Sequence, residues 1–159
     1  MTKTALSIRL ASRADISAII PLVNAAFAVE TFIDGTRTDE RRMSEMMAKG
    51  AFLVGEDNGR IVSSVYCEVR GERAYMGMLA VDPAQQGRGI GHQMTTAVED
   101  HCRAHGCNFL DITVLSLRPE LPPLYRKLGF VETGTEEFHP SVPLKAGYDC
   151  YGIKMTKPL

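Results

Sequence analysis

The stretch Leu79-Ala80-Val81-Asp82-Pro83-Ala84-Gln85-Gln86-Gly87-Arg88-Gly89-Ile90-Gly91-His92 decides how this chain is read. An apolar run stops at Asp82-Pro83, because proline cannot continue a central strand. Three glycines at alternate positions, 87, 89 and 91, then open an amphipathic segment that runs from Gly89 to His105 and ends at Gly106. Glycine permits positive φ and lets a ligand approach the backbone closely. Successive free N–H groups at a helix start form an anion cradle, reinforced by the positive end of the helix dipole. Arg88 adds a guanidinium fork suited to phosphate oxygens. The segment reads as a strand, a phosphate-binding turn and a helix, with a diphosphate as ligand. A merely tight turn is the competing reading.

Two common phosphate ligands fit poorly. No Gly-Lys-Ser/Thr follows to grip a nucleoside triphosphate and its Mg²⁺. The glycine spacing is not Gly-x-Gly-x-x-Gly, and the turn sits mid-chain rather than in an opening strand–helix–strand unit, which argues against a dinucleotide.

Working outward, Leu6 to Leu10 reads as a short strand. Ser12-Arg13-Ala14-Asp15 has the form of a capping box and starts a helix with Ile16, Ile19, Ile20, Val23 and Phe27 on one face, Pro21 marking a potential kink. A second helix is expected over 39–49, ended by Gly50. Strands are expected at 51–56, 60–69 and 74–81, with Asp57-Asn58-Gly59 as a hairpin turn. Downstream come a buried strand at 109–114, a short helix at 121–128, a strand at 130–136 and a last strand at 148–155. Antiparallel strands followed by a strand–helix–strand unit describe a mixed α/β sheet with one parallel crossover.

Composition narrows the partners. The 159 residues form one domain, 1–159, with 45% hydrophobic and 23% charged residues and a net charge of −1. Nucleic-acid binding draws on clustered Lys and Arg, so this charge favours a small molecule or a protein instead. No run approaches the roughly 18 apolar residues of a membrane span. The opening residues lack the apolar run of a secretory signal, so the expectation is a cytoplasmic protein with Cys67, Cys102, Cys107 and Cys150 reduced. His101, Cys102, His105 and Cys107 lie close together, but their spacing fits no standard zinc pattern, and no metal is expected.

The motifs carry a further reading. Gln86-Gly87-Arg88-Gly89-Ile90-Gly91 resembles the Gln/Arg-x-x-Gly-x-Gly/Ala signature of the GNAT N-acetyltransferases, whose loop binds the coenzyme A pyrophosphate. Leu124-Tyr125-Arg126-Lys127-Leu128-Gly129-Phe130 is similar to that family's second landmark, Tyr-x-Lys-x-Gly-Phe. The likeness is strong from Ala51 to Phe130 and weaker at both ends. It implies a central mixed, mostly antiparallel sheet of about six to seven strands, splayed at strands 4 and 5 and flanked by about four helices. It also implies acetyl-CoA as cofactor and acetyl transfer to a primary amine, of a small molecule or a protein, by direct attack in a ternary complex.

The same resemblance assigns residues. Backbone groups of Leu79, Ala80 and Val81 would hold the pantetheine arm. Gln86, Gly87, Arg88, Gly89, Ile90, Gly91 and His92 would take the pyrophosphate. Tyr125 would protonate the leaving thiolate. Some relatives carry a glutamate where this chain has Tyr75, so Glu68 and His139 stand as substitutes for the base, and a water chain would also serve. The family often has asparagine and alanine where Arg118 and Leu121 stand, which leaves Arg118 either on the cofactor or in solvent. Glu30, Phe32, Asp34 and Tyr75 are the candidate acceptor contacts. A catalytically silent coenzyme A-binding regulatory module, or an enzyme using another acyl-CoA, are the alternatives. The oligomeric state is left open between monomer and homodimer.

Overall fold

A computed structural model describes residues 6–138 and 142–159. In chain order the elements are β1 (Ser7–Leu10), a 3-10 turn (Arg13–Asp15), α1 (Ile16–Ala26), α2 (Glu40–Lys49), β2 (Ala51–Asp57), β3 (Arg60–Arg70) and β4 (Arg73–Val81). After a second 3-10 turn (Pro83–Gln85) follow α3 (Ile90–Ala104), β5 (Phe109–Leu115), α4 (Leu121–Lys127), β6 (Val131–Glu137) and β7 (Tyr151–Pro158). The strands form one seven-stranded sheet in the order β1-β2-β3-β4-β5-β7-β6. Every pairing is antiparallel except β4 with β5.

Period-two alternation sorts the strand side chains onto two faces. On one face Phe52, Val54, Tyr66 and Ala80 meet Ile19 and Val23 of α1 and Met43 of α2. On the other Leu53, Val65, Met76, Leu110 and Ile112 meet Met94 and Val98 of α3, with Phe130 and Met155. The sheet is therefore the middle of three layers, and its two faces serve different ends of the chain.

Local signals decide most of the boundaries. The capping box caps the 3-10 turn rather than α1 itself: Asp15 accepts from the Ser12 N–H at 2.8 Å and from the Arg9 guanidinium at 2.8 and 2.9 Å. Pro21 lies inside α1 on its exposed face, and the helix runs on through it to Ala26. Asp39 caps α2 by accepting from the Arg42 N–H at 2.9 Å. The last strand is three residues later than its local pattern suggests, because its register is set by β5: Leu115 pairs Gly152 and Phe109 pairs Pro158. Among the described residues no helix is long and apolar enough to cross a membrane.

Two irregularities shape the sheet centre. The β3–β4 register slips by one between Ser64 and Tyr66, so Met78 and Leu79 together oppose Val65, and Met78 takes φ +51°. Such a bulge bends its strand and re-aims the residues beside it. The parallel β4–β5 pairing covers only Arg73–Phe109, Ala74–Leu110 and Tyr75–Asp111. Beyond Tyr75 the two strands part, leaving the facing edges of residues 76–81 and 112–115 outside the ladder.

Candidate active site

Strand β4 feeds the glycine turn directly. Asp82 holds it in three ways: its N–H donates to the Val62 carbonyl at 2.8 Å, its carboxylate accepts from the Ala84 N–H at 3.0 Å, and it pairs with Arg60 at 2.8 Å. Gly87 and Gly89 take φ of +81° and +75°, and Gly89 is the N-cap of α3 in the left-handed region. A side chain there would be strained, so the turn depends on glycine at 89. Gln86, Gly87, Arg88, Gly89 and His92 are exposed, whereas the Ala80 and Ile90 side chains are in the core. Those two can offer a ligand only their backbone. The first N–H groups of α3 have no partner within the helix and open beside the end of β4. Arg88 donates to the Gln85 side-chain carbonyl.

Helix α4 begins with Leu121-Pro122-Pro123, using proline where a helix start needs no N–H. It presents Tyr125 against Phe130, ring centroids 5.6 Å apart and nearly perpendicular. The Tyr125 hydroxyl makes no hydrogen bond to the described residues. Burial pushes its pKa up to about 12; the Arg118 charge lowers it and Tyr75 raises it. Burial disfavours the phenolate, so the neutral donor persists through ordinary pH.

Tyr75 is the last β4 residue paired with β5, and its phenol folds over Gly77. A methyl group at Gly77 would stand 2.6 Å from the Tyr75 hydroxyl, so glycine there leaves the ring its place. Burial raises the Tyr75 pKa, while Arg37 and Arg70 lower it and Glu136 and Glu68 raise it. Arg70 lies over the Tyr75 ring, 5.2 Å from its centroid.

The candidate bases differ in what already holds them. Glu68 has both oxygens engaged, one accepting from the Tyr66 hydroxyl at 3.1 Å and the other paired with Arg70. His139 lies outside the described residues. Glu136 of β6 lies across Gly152 and accepts from the Thr113 hydroxyl at 2.9 Å. No local motif marks it; its place follows from the β5–β7–β6 order.

Arg118 is neither in open solvent nor free. It donates to Glu30 at 2.7 Å and contacts Glu120 at 3.3 Å, with 15% of its side chain exposed. Glu30 is 2% exposed at its side chain, and Arg37 stands 3.5 Å from its other oxygen. The segment carrying Glu30 and Arg37 is stitched to the loop before β7. Ile33 bridges Leu144, the Asp34 N–H donates to the Pro143 carbonyl at 2.9 Å, and the Lys145 N–H donates to the Phe32 carbonyl at 2.8 Å. Phe32 belongs to a small apolar cluster with Ile33, Leu115 and Val142, whereas Asp34 is exposed. Asn24 brackets Thr38 with two hydrogen bonds at 2.9 and 3.1 Å and closes the other side. A cavity of about 310 Å³ remains, walled by Asn24, Phe27, Glu30, Thr31, Arg37 and Lys145 among others.

A glycine turn thus stands at the mouth of a splayed parallel strand pair. Residues 22–143 match the acetyltransferase (GNAT) domain, and the chain belongs to that family. An acetyltransferase of Pectobacterium atrosepticum is 29% identical over 125 residues, covering 79% of this chain and 87% of that protein. Glucosamine 6-phosphate N-acetyltransferase 1 of Oryza sativa subsp. japonica is 32% identical over 107 residues, 60% of this chain and 63% of its own length. Among solved structures, YncA of Salmonella typhimurium with its cofactor acetyl-CoA superposes with TM-score 0.75 at 25% identity, covering 98% and 94% of the two chains. The ribosomal-protein-S18-alanine N-acetyltransferase of Escherichia coli reaches TM-score 0.78 at 19% identity, covering 97% and 94%, and shares the fold. Acetyl-CoA is the cosubstrate, and the reaction is acyl transfer from it.

Proposed function

We propose that the protein acetylates a primary amine by direct attack on the thioester of acetyl-CoA within a ternary complex. The observation that carries this reading is the end of β4–β5 pairing at Tyr75 and Asp111. It frees a strand edge at Leu79 to Val81 for the pantetheine arm, and the glycine turn lies at the end of that edge. Backbone N–H groups of 87–91 receive the pyrophosphate, supported by Gln86, Arg88 and His92. A β4 N–H beside the bulge polarises the thioester carbonyl and is worth most as the oxyanion develops.

In the reaction the amine nitrogen bonds to the thioester carbon and the carbon–sulfur bond breaks. Glu136 takes the amine proton, and Tyr125 gives its hydroxyl proton to the departing sulfur. Much of the acceleration is positioning, supplied by the splay on one side and the acceptor cavity on the other. Exchanging Glu136 for glutamine is expected to lower kcat/KM about 10²-fold. A glutamine variant with wild-type kcat/KM would remove Glu136 from this role.

Thermal unfolding with acetyl-CoA, free CoA, NAD and ATP tests the cofactor site. At about a hundred times Kd, binding stabilises by roughly 2.7 kcal/mol, on the order of 5–10 °C for a domain of this size. Both CoA species are expected to give this shift, and Gly89→Val to abolish it. Gly91→Ala is the control: its Cβ would meet only Leu79 Cδ2, at 3.9 Å, so it should leave the shift intact. A larger shift with NAD or ATP would overturn the assignment. Thiol release with a panel of amines then tests the transfer, and tight CoA binding without thiol release would favour a silent binding module.

A further inference from the structure

The cavity beside Glu30 has more charge than a simple amine needs. It lies beside the loop that leads from β5 into α4 and Tyr125: Glu30 in its wall is paired with Arg118, whose backbone N–H donates to the Leu115 carbonyl at the end of β5. Glu30 is the carboxylate in the wall, and Arg37 and Lys145 are its cations. Arg118 and Arg37 share the one Glu30 carboxylate, at 2.7 and 3.5 Å, and Lys145 adds a third cation, so the cavity is left positive.

Arg37 and Lys145 both keep unused hydrogen-bond donors among the described residues. Arg37 lies over the Phe27 ring, 4.9 Å from its centroid, and stands 3.5 Å from Glu30 Oε1. That contact is not a hydrogen bond: Glu30 Oε1 is buried and without a hydrogen-bond partner. Arg37 is thus held in place by packing and charge, with its N–H donors unused among the described residues. Lys145 is anchored through its backbone to Phe32, while its ammonium has no partner among the described residues.

From this we infer that the acceptor is a small amine carrying an anionic group, a carboxylate or a phosphate, which Arg37 and Lys145 receive in this cavity. The inference rests on the N-acetyltransferase reading and adds the acceptor's chemical class. A guanidinium presents paired donors that match either oxyanion, and a lysine supplies a point charge. A simple alkyl monoamine arrives as an ammonium ion and meets repulsion from both cations. The volume, about 310 Å³, lies at the small end of small-molecule pockets and suits a metabolite-sized ligand rather than a folded protein surface.

The test uses matched pairs: amino acids against their amides, and phosphorylated amino sugars against the free sugars. Binding is read as a thermal shift in saturating CoA, and transfer as thiol release from acetyl-CoA. The anionic member of at least one pair is expected to bind and to show a KM lower by about tenfold or more. The two kinds of pair tell carboxylate from phosphate. Lys145→Gln, an exposed position, and Arg37→Gln should each erase that preference while the shift with acetyl-CoA persists. Neutral partners binding as well as anionic ones, no binding by either, or a preference that survives both variants would overturn the inference. Selective binding of anionic amines without any thiol release would support it and sink the acetyltransferase reading instead.

Discussion

Tyr125→Phe is expected to lower kcat by about 10²–10⁴-fold while leaving the thermal shift with acetyl-CoA unchanged. The ring fills the space against Phe130 in either variant, so the fold has little reason to respond. What is lost is one proton donor at the sulfur, an interaction made as the carbon–sulfur bond breaks. Such a loss falls on kcat and kcat/KM together, not on cofactor affinity. Burial sets the sign of the pH dependence: it holds the phenol pKa up at about 12, well above its ordinary value, so the donor stays protonated across neutral and mildly alkaline pH. Any alkaline fall in wild-type kcat below that range therefore comes from another group. Steady-state kinetics at saturating acceptor, with unfolding curves beside them, checks both halves. A phenylalanine variant with wild-type kcat would move the acid elsewhere.

The geometry of the glycine turn was legible because it is local. Pro83, Gly87, Gly89 and Gly91 stand within nine residues, and each acts on its own backbone: proline ends the strand, and a left-handed glycine starts the helix. Tyr125 was legible for a similar reason, its helix beginning at consecutive prolines and ending before Gly129. The cavity beside Glu30 was not. It joins residues of α1, the chain after it and the loop before β7, and long-range contacts such as the Ile33–Leu144 bridge and the Asp34–Pro143 and Lys145–Phe32 hydrogen bonds bring these segments together. Glu30 and Arg118 were each singled out, on opposite sides of the reaction, yet they are one ion pair. Sequence carries no sign of that pairing, since it depends on how the β5–α4 loop faces the segment after α1. The bulge at Met78 was hidden too. A positive φ at a non-glycine residue is dictated by the register of β3 against β4, not by methionine.

That buried pair supplies the second large effect. Glu30→Ala is expected to destabilise the protein by about 3–5 kcal/mol, on the order of 10 °C or more in Tm. The Glu30 side chain is 2% exposed and that of Arg118 15%, so removing the carboxylate leaves the largely buried Arg118 with only the exposed Glu120 carboxylate, 3.3 Å away, as a counter-charge. Arg37, 21% exposed, loses its counter-charge in the same step. Exposed pairs of this protein behave differently: Arg41–Glu45 on α2 is 68% and 60% exposed at its side chains, and water and salt screen it. The asymmetry gives a sharper check than the single variant. Breaking a buried pair from one side strands a charge, whereas replacing both partners by apolar groups of similar volume can come out near neutral. Glu30→Leu combined with Arg118→Met is therefore expected to recover much of what either change alone loses, a large coupling in a double-mutant cycle read by urea unfolding. Arg37 would still lack its partner, so recovery should be incomplete until Arg37→Met is added. If Glu30→Ala costs under about 1 kcal/mol, in the range of surface pairs, water reaches Glu30 freely and the cavity wall is looser than these contacts imply.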